Sequence, residues 1–450
     1  MELIDGKKFV DKNSFFIEIY GLGYVGFPLA VRLSSSEFKI IGIDVNNERI
    51  ERLKNNNLMD SELYLKDEFL ESRNKNFLEL DNKSTKNNIS KIGIICVPTP
   101  IPTEKITSDI YVKSAVIEFL KTANPGDVII LESSIEVGTT EKIETIIEEN
   151  GFEVGKNIGL CFCPERIDPA NKEWGIENIP RVIYCSDDAS YSIAKIIYEN
   201  VNKGNLLRVS SPKIAEIVKS FENAFRLVNI ALVNELAILC DNLEVNVKEV
   251  IDAAATKPFG FMPHYPGAGA GGHCIPKDPR FLLESAKKLD LKFNTIEHAL
   301  EINHFMPKYV SNSIKKEVEN LGLGKNILIC GLSYKANVED MRDSPSFKII
   351  EEFHNQGYSV YGYDPYFDEK LSQKYMIENH LEKLHFEIIK KLDDEFLEKI
   401  SGICIVQHHD IIKEKIKEIY EKSTVPLIYD CQSKLLKNKN SKTKLVYLGN

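Results

Sequence analysis

The sequence predicts an α/β protein of two doubly wound domains joined by a long central helix. Short β-branched runs alternate with helical stretches from Phe15 to about Val209. The stretch from Pro212 to about Val245 has no Gly or internal Pro and carries apolar residues at helical spacing. Strand signals then return between Lys325 and Leu448. Alternation of this kind builds βαβ units around a mostly parallel sheet. A length of 450 residues is consistent with two or three domains, with expected boundaries 1–209, 210–321 and 322–450.

In the first domain the expected strands are Phe15–Tyr20, Ile40–Asp44, Lys91–Val97, Val128–Glu132, Ile158–Cys163 and Arg181–Cys185. The polar, Asn/Lys-rich segment Asn55–Ser90 reads as helices and loops outside the sheet. In the middle zone Ile214, Ile217, Val218, Phe221, Phe225, Val228, Leu232, Leu236 and Leu239 mark the long helix. Pro212 suits its first turn, with Ser210 or Ser211 as cap. At 1.5 Å per residue it reaches roughly 50 Å, enough to bridge two domains or two subunits. A Gly/Pro-rich loop, Lys257 to Pro279, precedes a second helical pattern from about Pro279 to Leu321. The last zone carries strand signals at Lys325–Gly331, Ser359–Asp364, Gly402–Gln407, Leu427–Cys431 and Leu445–Leu448, so the two α/β domains read as copies of one plan.

Composition removes several function classes. The formal net charge of −10 argues against a free-standing nucleic-acid binder. No apolar run reads as long enough for a membrane span, and Met1–Asp11 lacks the apolar core of a secretory signal. The nine cysteines are odd in number and show no disulfide-framework spacing. Cys161 and Cys163 form C-x-C without a second pair to complete a zinc site, so no metal is expected. The cysteines read as reduced and the compartment as cytoplasmic.

The first strand runs into Gly21-Leu22-Gly23-Tyr24-Val25-Gly26 and then into a helix. Glycines at these positions permit the tight turn, the approach of backbone to a pyrophosphate, and close helix–strand packing. The second strand ends in Asp44, 18 residues past Gly26. An acid there accepts the ribose hydroxyls of NAD and repels the extra phosphate of NADP, although Arg49 nearby is a residue type that receives such a phosphate. A Rossmann-like NAD domain is therefore expected. Ile95-Cys96-Val97-Pro98-Thr99-Pro100 and Leu131-Glu132-Ser133-Ser134 place hydroxyls of Thr99 and Ser134 at two further strand ends, where doubly wound folds bind ligands.

Pro266 to Asp278 is the most informative stretch. Four glycines between Gly267 and Gly272 free backbone N–H groups for oxygen atoms. They lead to Cys274, close to Lys277 and Asp278, a pattern that suggests an activated thiol with a polar helper for water or an oxyanion. His273 is adjacent but is not assigned a role. On the long helix Lys219, Asn223 and Arg226 fall at i, i+4 and i+7, one polar stripe able to hold an oxygen undergoing oxidation. Ile329-Cys-Gly331-Leu-Ser-Tyr334-Lys335 and Met341-Arg342-Asp343-Ser344-Pro345 put basic residues near a helix start, a natural anion site.

With these motifs in order, the chain resembles the UDP-glucose/GDP-mannose dehydrogenase family from about Phe15 to Leu448. The shared motifs are G-L-G-Y-V-G, C-V-P-T-P, P-E-R, the K-x-x-x-N helix, G-G-H-C-I-P-K-D-P, and G-L-S-Y-K followed by R-D-S-P. The resemblance implies a four-electron oxidation of a nucleotide sugar's C6 alcohol with two NAD+. It implies Cys274 as nucleophile, Lys219 as proton acceptor and oxyanion partner, Asn223 as orienting group and Asp278 as helper for water. Cofactor contacts are expected from Gly21, Gly23, Tyr24, Val25, Gly26, Asp44, Arg49, Thr99, Ser134, Lys277 and Arg342. Substrate contacts are expected from Glu165, Arg166, Ile167, Lys219, Asn223, Arg226, Tyr265, Gly267, Gly271, Tyr334 and Lys335. Pro169 stands where UDP-glucose dehydrogenases carry Glu, which leaves Glu165 as the nearer catalytic carboxylate. The P-E-R form and Glu222-Asn223-x-x-Arg226 are similar to the N-acetylhexosamine branch, and Thr256–Pro263 resembles its gluco-specific members. The expected substrate is accordingly UDP-N-acetylglucosamine, then UDP-N-acetylmannosamine, then UDP-glucose. A homodimer or higher homo-oligomer through the long helix is implied, with no nucleic-acid or membrane partner.

Overall fold

The computed structural model describes residues 15–86, 89–100, 108–166, 173–272, 274–367, 376, 384 and 386–450. Its strands are β1 (Phe15–Tyr20), β2 (Ile40–Ile43), β3 (Leu78–Asp81), β4 (Ser90–Ile95), β5 (Val128–Leu131), β6 (Gly159–Phe162), β7 (Arg181–Cys185) and β8 (Leu206–Arg208), then β9 (Asn326–Cys330), β10 (Ser359–Tyr363), β11 (Glu387–Ile388), β12 (Gly402–Ile405), β13 (Leu427–Asp430) and β14 (Lys444–Tyr447). The helices that position the sites are α1 (Gly26–Ser35), α2 (Asn47–Lys54), α3 (Lys66–Asn74), α4 (Ile110–Leu120), α5 (Thr139–Glu149), α6 (Asp188–Val201), α7 (Pro212–Leu243), α8 (Val247–Ala255), α9 (Asp278–Lys288), α10 (Asn294–Asn320) and α11 (Pro345–Asn355). Two compact units result. The first runs to Glu222 and adds Glu284–Leu289; the second comprises Asn223–Leu283 and Asp290–Asn450.

In the first unit eight strands take the order β3-β2-β1-β4-β5-β6-β7-β8. All neighbours are parallel except β6 and β7. The central strands read as continuous apolar runs because helices cover both faces; Ile17, Ile19, Ile92, Ile94 and Val128 through Leu131 are fully buried. The order reverses direction between β1 and β4, which creates a crevice beyond their carboxyl ends. In the second unit six parallel strands take the order β11-β10-β9-β12-β13-β14, with the matching reversal between β9 and β12.

Three strands lie beyond the expected set. The segment Asn55–Ser90 does not stay outside the sheet: its Leu78-Glu79-Leu80-Asp81 pairs with β2 as an edge strand. The apolar/polar alternation fits an edge whose two faces differ in exposure. β8 and β11 are short edge strands as well. The second helical pattern is two helices, broken at Leu289–Phe293.

α7 is 32 residues long, about 48 Å at the standard rise, and Ser211 Oγ accepts the N–H of Ile214. Contrary to the expectation from run length, it is long and apolar enough by composition to cross a membrane, but 44% of its most apolar window is buried in the protein. Its charged Glu216 is fully buried at the start of α5, which a membrane span would not permit without cost.

Candidate functional site

In the first unit the turn after β1 is built for close approach. Gly21 has φ +90°, and a Cβ there would sit 2.8 Å from the Cys96 carbonyl oxygen. At Gly26 a Cβ would fall 1.9 Å from the Gly21 carbonyl, so α1 can pack against the turn only with glycine. Gly23 faces open space, with nothing within 4 Å of its would-be Cβ. The N-cap of α1 is Val25, whose side chain caps nothing; in the first turn the Phe27 N–H donates to the Gly23 carbonyl at 3.1 Å and Pro28 has no N–H, so the anion-binding capacity of that turn rests on the Gly26 N–H. Tyr24 is exposed beside it.

Asp44 follows β2. Its Oδ2 accepts the Leu22 N–H at 2.8 Å and its Oδ1 the Asn46 N–H at 2.8 Å, which fixes a half-buried carboxylate with further acceptor capacity. Arg49 is engaged beneath the loop: Nε donates to the Leu22 carbonyl at 3.0 Å and the guanidinium pairs with Glu62. It also lies over the Phe27 ring. Its guanidinium therefore supports the turn. Thr99 is buried beyond β4, and beyond β5 the Ser133 hydroxyl donates to the Val97 carbonyl at 2.7 Å, tying two strand ends together next to Ser134. These residues fit a dinucleotide: an open glycine and a helix start share one turn, and the acid that follows β2 is hydrogen-bonded to that turn through the Leu22 N–H.

A buried ionic group holds the P-E-R turn. Arg181 is 2% exposed and bridges Glu132 at 3.1 Å and Glu165 at 2.6 Å, with its guanidinium over the Tyr198 ring. The other Glu165 oxygen accepts the Arg166 N–H at 2.6 Å, so both oxygens of Glu165 have partners. Burial pushes the Glu132 carboxyl up, against the opposing charge of Arg181. Arg166 pairs with Glu222 and donates to the Pro180 carbonyl at 2.8 Å. Ile167 lies outside the described residues, as does His273. On α7, Lys219 is half-buried and, among the described residues, has no ion-pair partner.

In the second unit Asn223 Nδ2 donates to Asp278 Oδ2 at 2.7 Å, and both residues are buried. The Cys274 carbonyl accepts the N–H groups of Lys277 and Asp278, which puts the exposed thiol and the buried carboxylate in one turn at the start of α9. Asp278 Oδ1 is buried without a hydrogen bond among the described residues, 3.6 Å from the Lys277 ammonium. Lys277 also lies over the Phe281 ring, a buried position for a lysine. The glycine loop runs against the C-terminal motifs. A Cβ on Gly271 would meet the Asp343 carbonyl at 2.5 Å, and one on Gly272 would meet the Tyr334 ring at 2.6 Å. The Gly272 N–H donates to the Arg342 carbonyl at 2.9 Å, while the Arg342 guanidinium pairs with Asp340. Gly267 and Lys335 lie on these same two segments. Arg226 is exposed on α7, and the Tyr265 hydroxyl donates to Asp252 at 2.7 Å.

These features agree with what comparison with known proteins finds. Residues 16–202 match the UDP-glucose/GDP-mannose dehydrogenase family NAD binding domain, residues 213–305 its central domain and residues 328–437 its UDP binding domain. The chain belongs to the UDP-glucose/GDP-mannose dehydrogenase family. It is 34% identical over 442 residues to a UDP-N-acetyl-D-mannosamine dehydrogenase of Methanococcus vannielii, covering 96% of each chain. It is 32% identical over 370 residues to a UDP-N-acetyl-D-glucosamine 6-dehydrogenase of Salmonella typhi, covering 80% of this chain and 85% of that one. The solved UDP-D-ManNAc dehydrogenase of Pyrococcus horikoshii matches with TM-score 0.81 and 28% identity, over 96% of this chain and 99% of that one. The protein is thus an NAD-dependent nucleotide-sugar dehydrogenase.

The sequence reading singles out none of Arg181, Glu216, Asn234 and Asn303, which hold the site segments in place. Glu216 accepts the N–H groups of Gly138 and Thr140 and the Thr140 hydroxyl, capping α5 from within α7; burial pushes its carboxyl up. The available signal was a polar residue interrupting a buried helical face.

Proposed function

We propose that this dehydrogenase oxidises the C6 hydroxyl of a UDP-N-acetylhexosamine to the carboxylate, using two NAD+ per sugar and a covalent adduct on Cys274. The observation that carries the reading is the single turn that presents an exposed Cys274 next to a buried Asp278 bonded to Asn223. Bound NAD supplies the hydride acceptor in both oxidations. Lys219 takes the hydroxyl proton and then stands by the oxygen as its charge changes, with Asn223 orienting it. The Cys274 thiolate adds to the aldehyde carbon; oxidation of the thiohemiacetal leaves a thioester, and water cleaves it to acid and thiol. Asp278 Oδ1, which makes no hydrogen bond among the described residues and sits 3.6 Å from the Lys277 ammonium, is suited to accept the proton of that water. Glu165, held at both oxygens, positions the P-E-R turn.

The manno epimer leads, supported by the higher identity and fuller coverage of the relative that bears that name. The gluco epimer is the second reading, favoured by the Thr256–Pro263 segment, although Phe259 and Met262 in it are largely exposed. Self-association is part of the same reading. Phe221, Phe225, Leu232, Leu239 and Leu243 expose an apolar stripe along α7, which a second copy would cover. The nine cysteines, all free, support a cytoplasmic location.

The test is NADH formation with UDP-ManNAc, UDP-GlcNAc and UDP-glucose offered separately, with the acid product quantified. Two NADH per UDP-ManNAc, with the other sugars slower, is the expected outcome. A preference for UDP-GlcNAc would restore the reading from Thr256–Pro263 and keep the chemistry. One NADH per sugar, with aldehyde as product, would sink the Cys274 adduct.

A further inference from the structure

The loop that leads to Cys274 is fixed from outside by two buried amides. Asn303, on α10 and 7% exposed, makes a reciprocal pair with the loop: the Ala270 N–H donates to its Oδ1 at 2.6 Å, and its Nδ2 donates to the Ala270 carbonyl at 2.9 Å. Asn234, on α7 and fully buried, accepts the Gly267 N–H at 3.0 Å. Its Nδ2 is buried with no hydrogen-bond partner among the described residues. Gly269, at φ +120°, passes so close to α10 that a Cβ would stand 3.1 Å from the Asn303 carbonyl. The third attachment is the Gly272 N–H on the Arg342 carbonyl.

An amide that satisfies both the donor and the acceptor of one residue substitutes for a sheet partner on a chain too glycine-rich to hold its own conformation. An apolar residue at 303 would leave two backbone groups without partners and release the loop's midpoint. The Asn234 end makes one bond and retains an unused donor, so it is the weaker attachment.

We infer that Asn303, assisted by Asn234, is a positioning residue that sets the register of the Gly267–Gly272 loop and through it the Cys274 thiol. The inference rests on the proposed role of Cys274. Neither asparagine touches the reacting atoms in this role. Their contribution is geometric, and misplacement by about 1 Å can cost on the order of 100-fold in rate.

The experiment compares Asn303→Ala, Asn234→Ala, Cys274→Ala and Asn242→Ala with the unsubstituted enzyme. Among the described residues the Asn242 amide bonds within its own helix, to the Ile238 carbonyl, and it is the control. Measurements are kcat and KM for the UDP-sugar, Kd for NAD+, the rate of Cys274 alkylation by iodoacetamide, and the melting temperature. Asn303→Ala should lower kcat on the order of 100-fold and change the alkylation rate, with Kd for NAD+ within about twofold of the unsubstituted value. Asn234→Ala should show the same pattern at about a tenth of the size, and it carries the test if Asn303→Ala does not fold. Wild-type kcat and alkylation in a folded Asn303→Ala or, if that variant does not fold, in Asn234→Ala, alongside an inactive Cys274→Ala, would overturn the inference and leave the adduct reading intact. Full NADH production by Cys274→Ala would remove the adduct reading itself.

Discussion

The two α/β units use the same turn and put it to different ends. In the first, Gly21 has φ +90°, its N–H donates to the Ile43 carbonyl, and the Leu22 N–H donates to Asp44 Oδ2 at 2.8 Å. In the second, Gly331 has φ +89°, its N–H donates to the Tyr363 carbonyl, and the Leu332 N–H donates to Asp364 Oδ2 at 2.8 Å. The next residue divides them. Gly23 leaves open space, whereas the N–H and hydroxyl of Ser333 both bond Asp364 at 2.8 Å. His409 completes the second carboxylate's shell at 3.1 Å, donating from Nε2 because its Nδ1 accepts the Asn337 N–H. Asp364 is 3% exposed and fully engaged; Asp44 is half-buried with acceptor capacity to spare. One acid is therefore available to a ribose, and the other is part of the framework.

Replacing each acid should separate these roles. Asp364→Ala should cost the second unit about 3–5 kcal/mol, because it strands several buried donors at once. Hydrogen exchange of peptides from β9 and β10 checks this, with NAD+ affinity unchanged; protection equal to that of the unsubstituted protein would mean the buried shell is inert. Asp44→Ala should do the reverse. Losing charge-assisted bonds to a ribose, worth about 1.5–3 kcal/mol, should raise Kd for NAD+ roughly 10- to 100-fold. The apo melting temperature should fall less than in Asp364→Ala, because two N–H bonds are lost rather than a whole buried shell, and titration calorimetry reads the change in affinity.

Acid should also separate the units, by a smaller margin. Burial pushes the Asp364 carboxyl up, but hydrogen bonds from His409, Tyr366 and Ser333 outweigh it and hold the group below its ordinary value. Asp430 behaves likewise beside His408. A depressed carboxyl contributes stability above the unfolded value of about 3.9 and loses it as pH falls through the folded value. In the first unit Asp127 is pushed up to about 6 by burial, despite N–H bonds from Asn124 and Lys91. There the folded state binds the proton more readily, so stability rises as pH falls from 7 toward 4. Exchange protection in β4 and β5 should increase between pH 7 and 5, after correction for intrinsic rates, while β9 and β10 weaken only below about pH 4. Parallel responses in the two sheets would contradict the contrast.

Much of this was legible locally. The glycine turn after β1, the acid after β2 and the uninterrupted helix α7 announce themselves because steric exclusion and helical period act within a few residues. The edge strand at Leu78–Asp81 was hidden by its Asn/Lys-rich surroundings, although its alternation was present. The thiol turn was legible as a motif; its fastening was not, since Asn303 lies 33 residues from Ala270 along the chain.

By itself the sequence determined which segments become strands, helices and tight turns, and which side chains bring chemistry to them. Tertiary structure alone decided the fate of similar side chains in similar turns. Asp364 meets a histidine 45 residues away, and Glu165 meets an arginine supplied by another strand. Asp44 is left with lone pairs to spare. Local sterics fix the backbone, but a carboxylate's role depends on which distant donors folding brings to it, and that is settled only when the sheet is assembled.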